Sequence, residues 1–379
     1  MFDILLSIIS SFSISFLAIP VIITVAERKK LYDVPDERKV HAGPIPSLGG
    51  LGIFAGFIIA ALVTIPFVQA AEFQYFMAAA FVIFFLGLKD DILIISPIKK
   101  FIGQVLAAFL IIYKGGVQIK SMHGFLGMQE LPEMFSLLLT YFAVIVIINS
   151  FNLIDGVDGL AGSLGLMATT VLGFYFMKIG AAPYAILAFS LAGSLLAFLI
   201  FNFHPAKIFM GDTGSLLIGL ITSILVIKFI NIASSPEAGG VPLEASPAIG
   251  FVLLMIPLLD TLRVFAIRIF NRRSPFSPDR NHVHHLLLDR GFSHRAITLT
   301  LVSINILFIT LAYQARTIGS TWLIVAIVSF FFAGISLLYF TKRRPRLFVA
   351  KANGQQQQAP GSKSARVVSL TDDAVLEQK

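Results

Sequence analysis

Between two long apolar runs lies N-S-F-N-L-I-D-G-V-D-G-L-A-G, Asn149 to Gly162, which carries Asn149, Asn152, Asp155 and Asp158. Carboxylates set against membrane-spanning segments are costly to desolvate, so they mark an interfacial or cavity-lining site. Acidic punctuation recurs at Asp90-Asp91, after F-F-L-G-L-K, and at Asp212 in F-M-G-D-T-G-S. Two adjacent carboxylates raise each other's proton affinity unless a cation is near. A hard divalent ion shared with substrate phosphates supplies that compensation, and magnesium takes oxygen ligands while keeping several waters. These loops are expected to converge on one side of a bilayer as a magnesium-dependent phosphoryl-transfer site.

Each motif also has a plainer explanation. Asp90-Asp91 could be a solvated acidic pair at a helix end. Asp155 and Asp158 are three apart and would share one helix face, with Gly156 and Gly159 allowing a turn or a close approach to a ligand. D-G-V-D-G-L lacks the alternating ligands and terminal Glu of a calcium loop. Asn149 and Asn152 could read a base or a sugar hydroxyl, or serve as structural caps. Asp212 could cap the helix it opens, while the amides at that start would also favour a phosphate. G-D-T-G-S is not a P-loop, because no G-K-[ST] element follows.

Arg280, His282, His284 and His285 fall in D-R-N-H-V-H-H. A structural zinc site usually needs a fourth partner, and the chain has no cysteine. Magnesium disfavours imidazole, so an Arg fork with imidazoles suits a pyrophosphate better. A solvated His-rich loop is the alternative. Arg38, Lys39 and His41 lie just before an apolar run and would neutralise a lipid phosphate at headgroup level, or simply fix topology. Asp260 and Arg263, at i and i+3, look like an intramembrane salt bridge.

The elements that must position these residues are membrane helices. The 379 residues are 56% hydrophobic and 13% charged, against about 25% charged in an average soluble domain. Mean hydropathy is +0.86. The absence of cysteine removes disulfides, thiolate metal sites and cysteine nucleophiles. A net charge of +8 does not point to nucleic acid, since the basic residues cluster beside apolar segments. The chain reads as all-α and polytopic, with about eleven transmembrane helices at 3–23, 48–68, 73–88, 98–113, 133–150, 160–177, 184–201, 213–231, 246–269, 296–314 and 321–341. The first is expected to be a retained span rather than a removed signal peptide. Segments 24–47, 89–100, 202–212, 268–296 and 342–379 hold 23 Lys or Arg, whereas the opposite loops hold only Lys114, Lys120, Lys178 and Arg316. That asymmetry predicts an outside N-terminus, a cytoplasmic C-terminus and all acidic motifs on the cytoplasmic face. Residues 114–132 suggest a small external hairpin. Residues 1–341 are expected to form one integral membrane domain, and 342–379, basic and then Gln-rich, a disordered cytoplasmic tail.

Taken in order, the Asp90-Asp91 pair, N-x-x-N-x-x-D-G-x-D-G-L-A, G-D-T-G-S and H-x-H-H resemble the bacterial polyprenyl-phosphate N-acetylhexosamine-1-phosphate transferases, glycosyltransferase family 4, over residues 1–341. The resemblance implies a multi-pass enzyme of the bacterial cytoplasmic (inner) membrane. It would move a sugar phosphate from a UDP-N-acetylhexosamine to undecaprenyl phosphate at the cytoplasmic face, releasing UMP and starting a cell-surface polysaccharide such as O-antigen. Mg2+ is the implied cofactor, with Mn2+ as a substitute. The implied partners are the two substrates and membrane lipids, with no nucleic acid, and a homodimer is common in the family. By the same resemblance Asp90 and Asp91 sit at the reaction centre, Asp90 as nucleophile or general base. Asp212, with Asp91, would hold the metal. Asn152, Asp155, Asp158 and Phe209 would form the nucleotide pocket, with Asp158 and Phe209 on the uracil. Arg280, His282, His284 and His285 would meet the diphosphate or sugar.

The muramyl-pentapeptide branch usually carries D-D-x-x-K and a longer histidine run. Here Ile94 stands at the Lys position and Leu follows H-V-H-H, so a plain hexosamine donor such as UDP-GlcNAc is expected over UDP-MurNAc-pentapeptide. Direct attack by the lipid phosphate and a two-step route through Asp90 both remain open. The rival from another class is a transporter of nucleotide sugars or lipid-linked sugars. Bunching of the acidic motifs on one face argues against it.

Overall fold

The computed structural model describes residues 1–33, 45–68, 70–93, 95–233, 243, 245–272 and 282–341. Its helices are α1 (Phe2–Lys29), α2 (Gly49–Thr64), α3 (Phe73–Leu93), α4 (Pro97–Phe109), α5 (Glu133–Ile154), α6 (Leu160–Lys178), α7 (Ala182–Asn202), α8 (Gly211–Ala233), α9 (Ser246–Leu253), α10 (Met255–Phe270), α11 (Val283–Leu288), α12 (His294–Gln314) and α13 (Ser320–Phe340). A short antiparallel pair, β1 (Tyr32–Asp33) and β2 (Ile45–Pro46), follows α1. Contacts divide the chain into Met1–Ile335 and Ser336–Lys379. Of the second unit only residues 336–341 are described, which includes the last turn of α13.

The protein is an all-α, multi-pass membrane protein. Among the described residues seven helices are long and apolar enough to cross a bilayer: α1, α5, α6, α7, α8, α12 and α13. The α9–α10 pair makes an eighth if counted as one span, bent by 78°. This corrects the expectation of eleven. Apolar composition alone cannot separate a helix that crosses lipid from one buried among its neighbours. The predicted span 48–68 is the 16-residue α2, well short of the ~20 residues a hydrocarbon core requires. The predicted span 73–88 belongs to α3, which runs on through Lys89, Asp90 and Asp91. The span 98–113 starts as the 13-residue α4, with Lys99 and Lys100 in its first turns, and runs on as a π-helical turn at Leu110–Lys114.

Helix α8 is the axis of the first unit. Helices α2, α3, α5, α6, α7 and α9 pack against it, and every residue from Thr213 to Ile227 is buried. Close approach depends on small residues: a Cβ on Gly219 would lie 2.5 Å from the Ile148 Cα of α5. Helix α1 turns large apolar side chains outward and a row of serines inward, between Ile4 and Ile19. Leu5, Ile9, Leu17 and Val21 are exposed, whereas Ser7, Ser11 and Ser15 are buried. That inversion suits a lipid surround, because hydrocarbon accepts apolar side chains while the Ser hydroxyls bond to helix carbonyls. Helix α4 follows the same rule, with Ile98, Phe101, Ile102 and Leu106 exposed and Gln104 buried.

The predicted hairpin is present. Ser121 bridges Glu130, Met122 N donates to Gln129 O at 2.8 Å, and Leu131 N donates to Lys120 O at 2.9 Å. The Asp260–Arg263 pair is also present, at 3.2 Å and buried. Arg38, Lys39, His41, Arg280, Ile94 and the 342–379 tail lie outside the described residues.

Candidate active site

The α7–α8 connection is tied to the start of α2. Phe209 N donates to Pro46 O at 2.7 Å, Gly49 N to Phe209 O at 2.9 Å, and Gly50 N to Met210 O at 2.8 Å. Gly211 then takes φ +69°, a left-handed conformation disfavoured for residues with a Cβ. A Cβ there would also lie 2.7 Å from an Asp91 carboxylate oxygen. The glycine therefore lets the last turn of α3 reach the first amides of α8.

Asp91 occupies that position. Its Oδ1 accepts from Asp212 N at 2.7 Å, and its Oδ2 accepts from Thr213 N at 3.0 Å and Thr213 Oγ1 at 2.5 Å. A carboxylate supplied by another helix thus caps α8, satisfying amides that would otherwise have no acceptor and complementing the helix dipole.

The Asp212 side chain faces the other way. Its Oδ1 accepts from Asn152 Nδ2 at 2.7 Å, and its Oδ2 pairs with Lys100 Nζ. Lys100 also pairs with Asp90 Oδ2 at 3.2 Å and donates to Asn152 Oδ1 at 3.2 Å. Asp90 Oδ1 accepts from Ile95 N at 2.7 Å, which fixes the turn between α3 and α4. Asn152 Nδ2 reaches Ser215 Oγ at 3.0 Å as well. Helices α3, α4, α5 and α8 each contribute to one cluster around Lys100. One turn behind it, Gln104 of α4 and Asn149 of α5 exchange two bonds, at 2.8 and 3.3 Å.

A cavity of about 230 Å³ opens on this cluster. Asp90, Lys100, Asn152 and Arg268 are among its charged and polar lining residues, and Ile95, Phe101, Leu153 and Phe265 among its apolar ones. Asp155 caps the C-terminal end of α5 and has no hydrogen-bond partner among the described residues. Burial, then the charges of Asp212, Asp91 and Asp158, push its carboxyl well above the ordinary range. The acidic motifs, far apart in sequence, thus share one electrostatic field.

Asp158 lies apart from the lysine cluster. Its carboxylate is 1% exposed; Oδ2 meets His204 Nδ1 at 2.7 Å and Ala206 N at 3.3 Å, and Oδ1 lies 3.3 Å from His294 Nδ1. Asp158, His204 and His294 offer ligand atoms within 4.8 Å of one another, an arrangement able to hold a divalent metal ion. Two imidazoles suit a transition metal better than magnesium. His282, His284 and His285 sit at and just inside the start of α11. Burial, then neighbouring His285, pushes the His284 imidazole down to about 3, so it is neutral at any working pH.

Sequence reasoning missed Lys100, His204 and His294. Lys100 was counted only as a topology charge, yet Lys100 and Gln104 are at i and i+4, and Asn149 and Asn152 at i and i+3. Those two polar stripes on apolar helices were the signal that α4 and α5 face each other. Nothing in the sequence pointed to the two histidines, which stand alone in their segments.

The fold is that of a helical multi-pass membrane protein in which four helices bring a charged cluster together. The profile of glycosyl transferase family 4 matches residues 73–230. A decaprenyl-phosphate N-acetylglucosaminephosphotransferase of Mycobacterium leprae is 35% identical over 76% of this chain and 77% of its own length. An undecaprenyl-phosphate alpha-N-acetylglucosaminyl 1-phosphate transferase of Yersinia pestis is 31% identical over 89% of this chain and 92% of its own. A probable undecaprenyl-phosphate N-acetylglucosaminyl 1-phosphate transferase of Bacillus subtilis is 31% identical over 86% and 89%. The chain belongs to glycosyl transferase family 4 and is an enzyme of the phosphoglycosyltransferase type.

Proposed function

We propose that the protein transfers N-acetylglucosamine 1-phosphate from UDP-GlcNAc to undecaprenyl phosphate at the cytoplasmic face of a bacterial membrane, releasing UMP. The reading rests above all on Lys100, Asp90 and Asn152 lining a cavity that also has apolar residues, with Asp212 bound to Lys100 and Asn152. A polyprenyl phosphate has matching halves, an anion and a greasy chain. The relatives' names carry both the sugar phosphate and the polyprenyl acceptor. The basic-residue asymmetry supports an outside N-terminus and a cytoplasmic C-terminus, with 1–341 as the membrane domain and 342–379 as a cytoplasmic tail.

The carboxylate and amide oxygens around Lys100 suit a hard cation, and Lys100 already places positive charge between Asp90 and Asp212. Asp212 is the proposed magnesium ligand. Asp91 was expected beside it as a second ligand, but both its oxygens are engaged on α8, so its proposed role is to hold Asp212 in place. Magnesium would neutralise the diphosphate and favour departure of UMP. Asp90 orients or deprotonates the lipid phosphate, which attacks the sugar-linked phosphorus in line. Lys100 and Arg268 attract that phosphate into the cavity. Asn152, Asp155, Asp158 and Phe209 are assigned to the nucleotide side, where Asp158, being enclosed, acts by fixing the 155–159 turn. His282, His284 and His285 are assigned to the diphosphate and sugar.

The test is UMP release by purified protein given magnesium, undecaprenyl phosphate and one of UDP-GlcNAc, UDP-GalNAc or UDP-MurNAc-pentapeptide. Turnover is expected with UDP-GlcNAc and only when all three components are present. Turnover with the muramyl donor alone would overturn the assignment.

Lys100→Gln should lower turnover by about 100-fold, because two carboxylates then face each other with no fixed cation. Added magnesium should recover part of that loss, read by the same assay over a magnesium series. Wild-type rates at every magnesium level would remove Lys100 from the site.

A further inference from the structure

Asp260 of α10 is 1% exposed and gathers three donors. His282 Nδ1 lies 2.9 Å from its Oδ2; Val283 N donates to Oδ1 at 2.9 Å and Arg263 Nη2 to Oδ1 at 3.2 Å. An ionised carboxylate only accepts, so the proton at this contact belongs to Nδ1. That fixes the His282 tautomer and leaves Nε2, which has no partner among the described residues, as its free nitrogen. The Val283 bond holds the main chain at the same point, so ring and backbone are both tied to α10.

The order passes to the next histidine. The His282 and His284 rings are parallel, with centroids 5.5 Å and planes 4° apart. His284 is 1% exposed and rests on Gly156, where a Cβ would lie 2.6 Å from Nε2. Gly156 follows Asp155, so Asp260 fastens the histidine segment against the turn that ends α5. His284 Nδ1 is buried and has no hydrogen-bond partner among the described residues. Buried polar atoms left in that state are rare and call for a missing partner.

We propose that Asp260 is a positioning residue for the transfer, holding His282 Nε2 and His284 Nδ1 ready for the diphosphate and sugar of the donor. This rests on the reaction proposed above and assigns the histidine segment its anchor. Among the described residues, the charged and titratable groups around His282 and the His284 ring stacked on it are Asp260 and Arg263 from α10, His285 from the same segment, and His294 from α12. Of these only Asp260 is an anion. Replacing it by a neutral amide offers Nδ1 a donor as readily as an acceptor.

The experiment compares full-length wild type, Asp260→Asn and Asp260→Glu in lipid nanodiscs. UMP release gives kcat and donor KM, and nitrogen-15 NMR the histidine tautomers. In Asp260→Asn, kcat should fall about 10–100-fold with donor KM changed less than about threefold. Asp260→Glu should regain most of the rate. The His282 signal with its proton on Nδ1 should be present in wild type and lost in Asp260→Asn, whether or not the enzyme turns over. Equal loss of rate in Asp260→Asn and Asp260→Glu would mean a purely structural role and overturn the proposal. An unchanged His282 signal in Asp260→Asn would overturn it too. Wild type that binds the donor yet never releases UMP would instead defeat the proposed reaction, leaving the tautomer test to stand by itself.

Discussion

Asp212→Asn should abolish transfer, lowering UMP release by at least about 10³-fold, while the protein stays folded. The change keeps side-chain size and removes one negative charge. The capping contact survives, because Asp91 binds the Asp212 backbone amide rather than its side chain. The side chain instead holds Lys100 on one oxygen and Asn152 on the other. An asparagine must turn its NH2 towards one of those two donors, so one contact becomes donor against donor. The ligand proposed for magnesium loses its charge at the same time, and a metal-stabilised leaving group is worth several kcal/mol of barrier. About 4 kcal/mol corresponds to the stated factor. UMP release over a magnesium series, with thermal unfolding as the control, decides it. Near-normal turnover with unchanged magnesium dependence would remove Asp212 from the chemistry.

Asp91→Ala should be the most destabilising change at the site. It strands Asp212 N, Thr213 N and Thr213 Oγ1 at the buried start of α8 and removes the anion from that helix terminus. Hydrogen bonds to a charged group contribute about 1.5–3 kcal/mol each and do not add fully, so a loss of about 3–5 kcal/mol is expected. Because α8 carries Asp212 at its second residue, a start that frays also displaces the proposed ligand, and turnover should fall about 100-fold. Asp91→Asn keeps one acceptor and should fall between wild type and Asp91→Ala in both measurements. Unfolding in detergent and UMP release test the pair of effects. An Asp91→Ala protein as stable as wild type would show that α8 does not need this cap. Normal stability combined with a raised magnesium requirement would return Asp91 to the metal, as the sequence alone suggested.

Much of the membrane character was legible because desolvation acts on composition. A chain with this share of apolar residues has to bury them in lipid or in itself, and lipid admits only helices or closed barrels, whose backbone bonds are satisfied internally. The number of crossings was less legible. Helix α2 carries Gly49, Gly50, Gly52 and Gly56 and is buried against α1, α7 and α8, yet its apolar run looks the same as that of a lipid-facing span. The α9–α10 bend was invisible for a related reason, since S-P-A-I-G-F-V-L-L-M-I-P reads as one continuous apolar segment.

The sequence by itself determined that carboxylates and amides would be concentrated between apolar runs, which residues those were, and to which family their order belongs. Residue type and spacing carry that information because an ionisable group beside hydrocarbon is too costly to be placed without a use. Only the tertiary structure decided how the work is divided among them. Of two adjacent aspartates, Asp90 meets Lys100 and Asp91 caps α8, and Asp158 is enclosed by two histidines from distant segments. A carboxylate's role depends on which donors lie within about 3 Å of it, and those donors come from helices whose packing local sequence does not encode.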